Sequence, residues 1–167
     1  MKRHLAGIGV VAVILSTAVV VNAKLAGCLE DDQIRKLPVL EAMADLPSVS
    51  MNDSLQKASR TLIKTPGTPE LALVKDDASG AFVGVVTQET IFGAVATSCQ
   101  TTAALRSCPN AVSRDNMFPD NATIEEIVKE LNFRHIDFLI IEAQDARIVG
   151  AVTRRSLMHF VYLVGCL

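Results

Sequence analysis

The chain of 167 residues has few aromatic residues and no excess charge of either sign. Phe, Tyr and Trp together make up 4% of the sequence, Trp is absent, and the formal net charge is −2. A protein that binds nucleic acid through its phosphates needs clustered Lys and Arg, and no basic run occurs here. The composition therefore argues against a nucleic-acid partner.

Recognisable catalytic motifs are also missing. The sequence has no Ser/His/Asp set with a nucleophile elbow, no Walker loop and no His-Glu-x-x-His helix. We therefore expect a protein that is not an enzyme.

Cysteine and histidine are sparse, with four Cys and three His. No Cys-x-x-Cys pair occurs and the histidines do not have metal-ligand spacing, so we expect no metal site. Cys99 and Cys108 leave two alternatives open. They would form a disulfide in an extracellular region, or remain free thiols in a reducing compartment. The sequence favours free thiols, because a small secreted chain usually contains more cysteines.

The N-terminus contains an uncharged apolar run, residues 5–23, preceded by Lys2 and Arg3. About 20 apolar residues cross a bilayer as a helix, so the run is a candidate transmembrane helix. A basic start, an apolar stretch and a small-residue exit also describe a secretory signal peptide. The residues of this run leave both alternatives open.

One short sequence occurs twice. "VGVVTQETI" (83–91) returns as "VGAVTRRSL" (149–157), each time after an apolar strand pattern and before an apolar helix pattern. The surrounding residues predict helix, strand, strand and helix in each copy, which gives a mixed α/β fold. The predicted helices are 52–64, 88–96, 120–132 and 154–164, and the predicted strands are 70–74, 81–87, 137–142 and 147–153.

Particular residues support this pattern. Leu55, Ala58 and Leu62 form one helical face, and Ile124, Ile127, Val128 and Leu131 form another. Thr123-x-x-Glu126 is a capping-box pattern. Gly84 and Gly150 lie near the transition from strand to helix, where we expect a Cβ to crowd a close backbone approach.

The doubled pattern of an apolar strand, a turn and Val-Gly-x-Val-Thr resembles the cystathionine-β-synthase (CBS) domain. Two such copies form the tandem CBS pair known as a Bateman module, and the resemblance covers about residues 48–163. It implies two half-domains that pack together. The predicted boundaries are 1–24 for the transmembrane helix, 25–47 for a short helix and linker, 48–97 for the first CBS domain, 98–113 for the inter-repeat linker and 114–167 for the second CBS domain.

Residues 12–43 resemble the end of the membrane domain of eukaryotic CLC chloride channels and transporters, with "AVILS" followed by "RKLPVL" (35–40). This resemblance favours a membrane helix over a signal peptide and implies an integral membrane protein. It implies chloride as the transported ion, a cytoplasmic CBS pair, and a homodimer formed through the membrane domain and the CBS pair. We also expect a portion of a longer protein, because one helix and a stub cannot enclose a pore.

The sequence departs from both families at functional positions. The CLC family places a Tyr hydroxyl at its central anion site, and that position is Cys28 here, whose thiol is a poorer hydrogen-bond donor. In CBS pairs that bind ATP or AMP, an Asp accepts hydrogen bonds from the ribose, and Thr90 and Ser156 replace it here. Adenine-nucleotide binding is therefore disfavoured, and no cofactor is assigned. The resemblance places any nucleotide at Ser50, Pro69, Glu70, Leu71, Thr90, Thr153 and Ser156.

A second functional class remains open. In it, the chain is a stand-alone CBS ligand-binding module, secreted or membrane-anchored, with residues 1–23 as a signal. Two glycosylation sequons, at Asn52 and Asn121, distinguish the alternatives, because they are modified only outside the cytosol.

Overall fold

The protein is described from a computed structural model, which covers residues 28–64 and 71–165. The α-helices are α1 (Asp31–Arg35), α2 (Leu55–Lys64), α3 (Gln88–Ala96), α4 (Ile124–Phe133) and α5 (Arg154–Gly165). The strands are β1 (Ser48–Ser50), β2 (Leu71–Lys75), β3 (Phe82–Thr87), β4 (Met117–Pro119), β5 (Phe138–Glu142) and β6 (Ile148–Thr153). Short 3-10 helices cover Val39–Ala42 and Leu105–Ser107.

The strands form one six-stranded sheet in the order β1-β2-β3-β6-β5-β4. In each repeat the first strand pairs in parallel with the second, and the second pairs antiparallel with the third. The two halves meet at the centre, where Phe82 of β3 lies opposite Ile148 of β6. The order is symmetric about this contact, so the sequence repeat is also a structural repeat.

The helix–strand–strand–helix order predicted for each copy is confirmed, and α3 has its predicted bounds of 88–96. The Thr123 capping box is present as well. The Thr123 amide donates to Glu126 Oε2 at 2.8 Å, and this bond lowers the pKa of the Glu126 carboxyl below its ordinary value. The strands β1 and β4, three-residue edge strands that open each repeat, were not predicted from the sequence.

The buried residues form three clusters. One lies within each repeat, and the third lies between the repeats and includes Leu71, Val85 and Ile140. The predicted apolar face of α2 is confirmed, since its three residues are buried. The predicted face of α4 is wrong at Val128, which is 40% exposed. Ile124, Ile127 and Leu131 are buried in the core of the second repeat.

Both repeat glycines lie inside strands, four residues before the first residue of the following helix, rather than at the transition itself. A Cβ on Gly84 would lie 2.6 Å from the Ser113 backbone oxygen and 2.6 Å from Val112 Cγ1. A Cβ on Gly150 would instead meet the end of the flexible Met43 side chain. The predicted close backbone approach is therefore present at Gly84, whereas Gly150 faces a side chain.

The N-terminal part of the prediction lies largely outside the described residues. The predicted transmembrane helix, 1–24, falls in residues 1–27, of which nothing is described. Across 28–64 and 71–165, no helix has both the length and the apolar character needed to cross a bilayer. The predicted connecting helix is present as α1, although it has only five residues.

The structure joins Cys99 and Cys108 by a disulfide bond, which corrects the expectation of free thiols. Their Cα atoms are 5.6 Å apart, within the usual range for a disulfide. The turn after α3 brings them together, because Ser98 has a left-handed backbone with φ 70° and the Cys99 amide returns to the Ala94 carbonyl. Sequence spacing alone does not show this reversal.

Candidate functional site

The described residues enclose an open cleft of about 1020 Å³. The first turns of α3 and α5 line it, together with residues 110–116 and the turn between α4 and β5. Each helix follows directly from a strand of the doubled motif. The cleft is therefore built by the sequence repeat and by the linker between its copies.

Both helix starts use the same hydroxyl arrangement. Thr90 Oγ1 accepts a hydrogen bond from the Thr87 amide at 2.9 Å and donates one to the Thr87 carbonyl at 3.1 Å. Ser156 Oγ accepts from the Thr153 amide at 3.0 Å and donates to the Thr153 carbonyl at 3.1 Å. Each hydroxyl thus caps its own helix.

These caps limit what the cleft can offer to a ribose. A hydroxyl has one donor hydrogen and two acceptor lone pairs. In Thr90 and Ser156 the hydrogen and one lone pair are already used within the helix cap. The two positions that replace the family Asp therefore act as structural caps in this protein.

The other predicted site residues separate. Leu71, Thr90 and Thr153 line the cleft, whereas Ser156 is not among its lining residues. Ser50 does not line it, and its hydroxyl donates to Asp77 instead. Pro69 and Glu70 lie outside the described residues.

Cys28, the predicted position of the family Tyr, is exposed at the start of the described chain. Its sulfur is part of a disulfide bond. The next residue, Leu29, donates its amide hydrogen to the Val164 carbonyl at 3.0 Å. Its assignment to an anion site remains a prediction.

Arg154 contacts protein atoms on three sides. Its guanidinium donates to the Leu131 carbonyl at 2.6 Å, to the Ile136 carbonyl at 3.0 Å and to Asn132 Oδ1 at 2.7 Å. These groups belong to the end of α4 and the turn after it, where a cation is favourable to the helix dipole. Arg154 thus joins α5 to α4, and Arg155 is left exposed beside it in the cleft lining.

Several cleft residues were not predicted as site residues. Arg114 ion-pairs with Glu142 at 3.6 Å, and His135 has a left-handed backbone with φ 55°. Phe138 adds an aromatic ring to the lining. Asp115 accepts a hydrogen bond from the Ser113 hydroxyl at 2.9 Å.

The linker reaches the cleft by pairing with β3. The Ser113 amide donates to the Val85 carbonyl at 2.8 Å, and the Val85 amide donates to the Ser113 carbonyl at 2.9 Å. This pairing needs the close approach at Gly84. Non-local contacts of this kind are absent from local sequence patterns, so no signal in 110–116 identified it as a cleft wall.

Comparison with known proteins gives one family match. The family model described as "CBS domain" matches residues 39–97 and 111–163. Among curated proteins, the search finds no match.

Solved structures agree in fold. An uncharacterized conserved protein from Pyrococcus horikoshii has TM-score 0.59 and 22% identity, over 75% of this chain and 92% of that one. The CBS pair of a putative Mg²⁺ transporter from Shewanella oneidensis has TM-score 0.57 and 17% identity, over 78% and 72%. A CBS domain protein from Pyrobaculum aerophilum, complexed with AMP, has TM-score 0.56 and 18% identity, over 72% and 89%. At these identities the similarity establishes the fold alone.

Proposed function

This chain belongs to the CBS domain family as a tandem pair, and on that premise we propose that it is the regulatory CBS pair and terminal membrane segment of a CLC-type chloride channel or chloride/proton exchanger. The pair would modulate the gating of anion transport from the cytoplasmic side, in a homodimer. The observation that carries the proposal is the docking of residues 29–46, the leading segment, onto the second repeat. The CLC-like "RKLPVL" sequence lies in this segment.

The leading segment is held by backbone hydrogen bonds along its length. The Val39 amide donates to the Ala122 carbonyl at 2.9 Å, and the Ala44 amide donates to the Ala151 carbonyl at 2.9 Å. In the reverse direction, the Ile124 amide of the second repeat donates to the Leu37 carbonyl of the leading segment at 2.9 Å. The segment is therefore an integral part of the second repeat rather than a loose tether.

Apolar packing reinforces these bonds. Ile34, Val39 and Ala42 are each at most 4% exposed and belong to the core cluster of the second repeat. Full burial of a Val or Ile side chain contributes about 1.5–3 kcal/mol. A force applied through the leading segment would thus reach the second repeat directly.

Helix α5 gives this coupling a route to the cleft. Its first residues, Arg154 and Arg155, line the cleft, and Val164 near its other end accepts the hydrogen bond from Leu29. A twelve-residue helix is a stiff element that links these two places. A change in the cleft would therefore move the leading segment.

Co-expression tests the proposal. The membrane helices of a CLC protein would be expressed with the full chain or with the chain lacking residues 48–167, and anion currents would be recorded. The proposal predicts currents whose gating differs between the two. The absence of anion current in both cases would refute it.

Adenine-nucleotide binding remains disfavoured in this proposal. The Pyrobaculum aerophilum protein was solved with AMP, and a bacterial CNNM/CorC family Mg²⁺ transporter CBS domain with ATP. In this chain, the uncharged hydroxyls of Thr90 and Ser156 each use their hydrogen and one lone pair in the helix cap, which leaves one acceptor lone pair in place of a carboxylate. Calorimetry on residues 28–167 with ATP and AMP should show binding weaker than roughly 100 µM, about −5.5 kcal/mol. Tighter binding would overturn this part of the proposal.

One observation favours the second candidate function, a stand-alone CBS module outside the cytosol. The Cys99–Cys108 disulfide is typical of oxidising compartments. Asn52 and Asn121 are both exposed, so glycosylation in a eukaryotic host reports on location. Modified asparagines would place the repeats outside the cytosol and refute the CLC topology, and unmodified ones support the cytoplasmic pair.

A further inference from the structure

The Cys99–Cys108 disulfide links the segment that follows α3 to the beginning of the linker that forms one wall of the cleft, and neither cysteine lines the cleft itself. Cys99 lies three residues beyond the end of α3 and is half-buried, while Cys108 is 6% exposed and lies two residues before Asn110. The start of α3 and residues 110–116, the linker wall, both line the cleft. The bond therefore ties the residues just before the linker wall to the segment after the C-terminal end of α3, by a covalent route that bypasses the intervening loop.

The loop closed by the disulfide has its own attachments. The Leu105 amide donates to the Asp53 carbonyl at 2.9 Å, and the Arg106 amide donates to the Met51 carbonyl at 3.1 Å. These bonds hold the loop to the start of α2 whether or not the disulfide is present. The segment whose position depends on the disulfide is therefore residues 108–113.

Besides the disulfide, residues 108–113 are held by a few backbone hydrogen bonds and by the packing of Ala111, which is 0% exposed in the core of the first repeat. The Ala111 amide donates to the Cys108 carbonyl at 3.3 Å, and the Ser113 pairing with Val85 closes the segment. Without the disulfide, Cys108 would be held by packing and by its own hydrogen bond to the Leu105 carbonyl. Opening of this segment would release the linker wall while the repeat stays folded.

We propose that the Cys99–Cys108 disulfide is a redox-sensitive clamp that fixes the linker wall of the cleft when oxidised and releases it when reduced. This inference rests on the proposed function, which places the pair in the cytosol. Disulfides of cytosolic proteins are usually transient and redox-sensing rather than structural. The clamp makes the shape of the cleft responsive to the thiol state of the cell.

The reaction is thiol–disulfide exchange with a dithiol reductant. A reductant thiolate attacks Sγ of Cys99, the less buried of the two residues, breaking the S–S bond and releasing the Cys108 thiolate, which takes up a proton. The second reductant thiol, as its thiolate, then attacks the mixed disulfide and releases Cys99, which is also protonated. The protein gains two electrons and two protons, and the reductant becomes a disulfide.

Hydrogen exchange on the full chain tests the clamp. Amide exchange would be followed by mass spectrometry for the oxidised protein and after reduction by dithiothreitol. We expect exchange in peptides covering 108–113 to become faster by about tenfold, with little change in β5 and β6, because the lost cross-link stabilises mainly its own neighbourhood.

Variants assign the effect to this bond. Cys28→Ser is the matched control, because Cys28 is in a separate disulfide, and it should keep the full response to reductant. Cys99→Ser/Cys108→Ser should show fast exchange in both buffers. If that double variant does not fold, the Cys28→Ser variant is compared in its oxidised and reduced forms. The change in exchange across 108–113 between those two forms then decides the question.

Three outcomes would overturn the clamp: a bond that stays oxidised in a cytosol-like glutathione buffer, unchanged exchange in 108–113 on reduction, or global unfolding. The co-expression currents separate this failure from failure of the proposed function. Currents that depend on 48–167 but ignore reductant would refute only the clamp. A bond inert to glutathione in a glycosylated chain would refute both.

Discussion

At the scale of single residues, Gly84 shows how closely the linker between the repeats approaches β3. The atom that a Cβ would meet is a backbone oxygen, at 2.6 Å, which cannot rotate away as a side chain would. The same backbone pairing places Ser113 and its neighbours in the cleft lining. One missing methyl group therefore allows a cleft wall to form.

Gly84→Ala should destabilise the protein by about 1–3 kcal/mol, the usual cost of forcing an extra methyl into a packed site. Denaturant unfolding of residues 28–167 measures this. Gly93→Ala is the control, since a Cβ there meets nothing within 4 Å. Because Gly93 is inside α3, that change should stabilise by roughly 0.5–1 kcal/mol. Equal destabilisation by both changes would contradict the close approach.

Glu41 carries a buried carboxylate oxygen, Oε2, with no hydrogen-bond partner, and burial raises the pKa of this carboxyl above its ordinary 4.5. A raised pKa means that the folded protein binds the proton more tightly, so stability is lost as pH rises through the folded-state value. Glu41→Gln should therefore be more stable than wild type at pH 7. The difference should shrink as pH falls towards 4.5. Thermal melts across this range test the sign, and a difference independent of pH would contradict it.

At the scale of elements, helix α4 has one face buried in the core of the second repeat and one face exposed to solvent. Leu131 is 1% exposed and Phe133, two residues later, is 83% exposed. Only Leu131 belongs to the core cluster of the second repeat. Since that cluster also contains the leading segment, α4 stabilises the docking on which the proposed function depends.

Leu131→Ala should cost about 2–5 kcal/mol because it leaves a cavity in this cluster. Phe133→Ala should lie within about 0.5 kcal/mol of wild type, as surface changes usually do. Chemical denaturation of residues 28–167 compares the two. A larger loss for Phe133→Ala would show that its exposed ring is covered in solution.

The elements also show how far the sequence could predict the structure. Strong periodicity and capping residues predicted four helices and four strands, because those signals are local. The strands β1 and β4 were missed, since three residues give too little alternation and their partners are distant in sequence. The cleft was predicted only in part: Thr90 and Thr153 belong to the doubled motif, but Arg114 and His135 enter through tertiary contacts.

At the scale of the whole molecule, the two repeats are alike in topology but not in their surroundings. The second repeat carries the leading segment in its core, and the first carries the disulfide-closed loop. The cleft draws residues from both repeats. The leading segment, which continues towards the predicted membrane helix, therefore contacts the second repeat, and the second repeat in turn forms part of the cleft.

We propose that the CBS pair modulates anion transport through the docked leading segment. Anion currents recorded from the full chain carrying Val39→Asn or Leu40→Asn, co-expressed with CLC membrane helices, test this coupling. Val39 is 0% exposed and Leu40 is 45% exposed, so the first change disrupts docking and its neighbour does not. We expect Val39→Asn to alter gating and Leu40→Asn to behave as wild type. Wild-type currents from both variants, with both chains expressed at the membrane, would contradict the account.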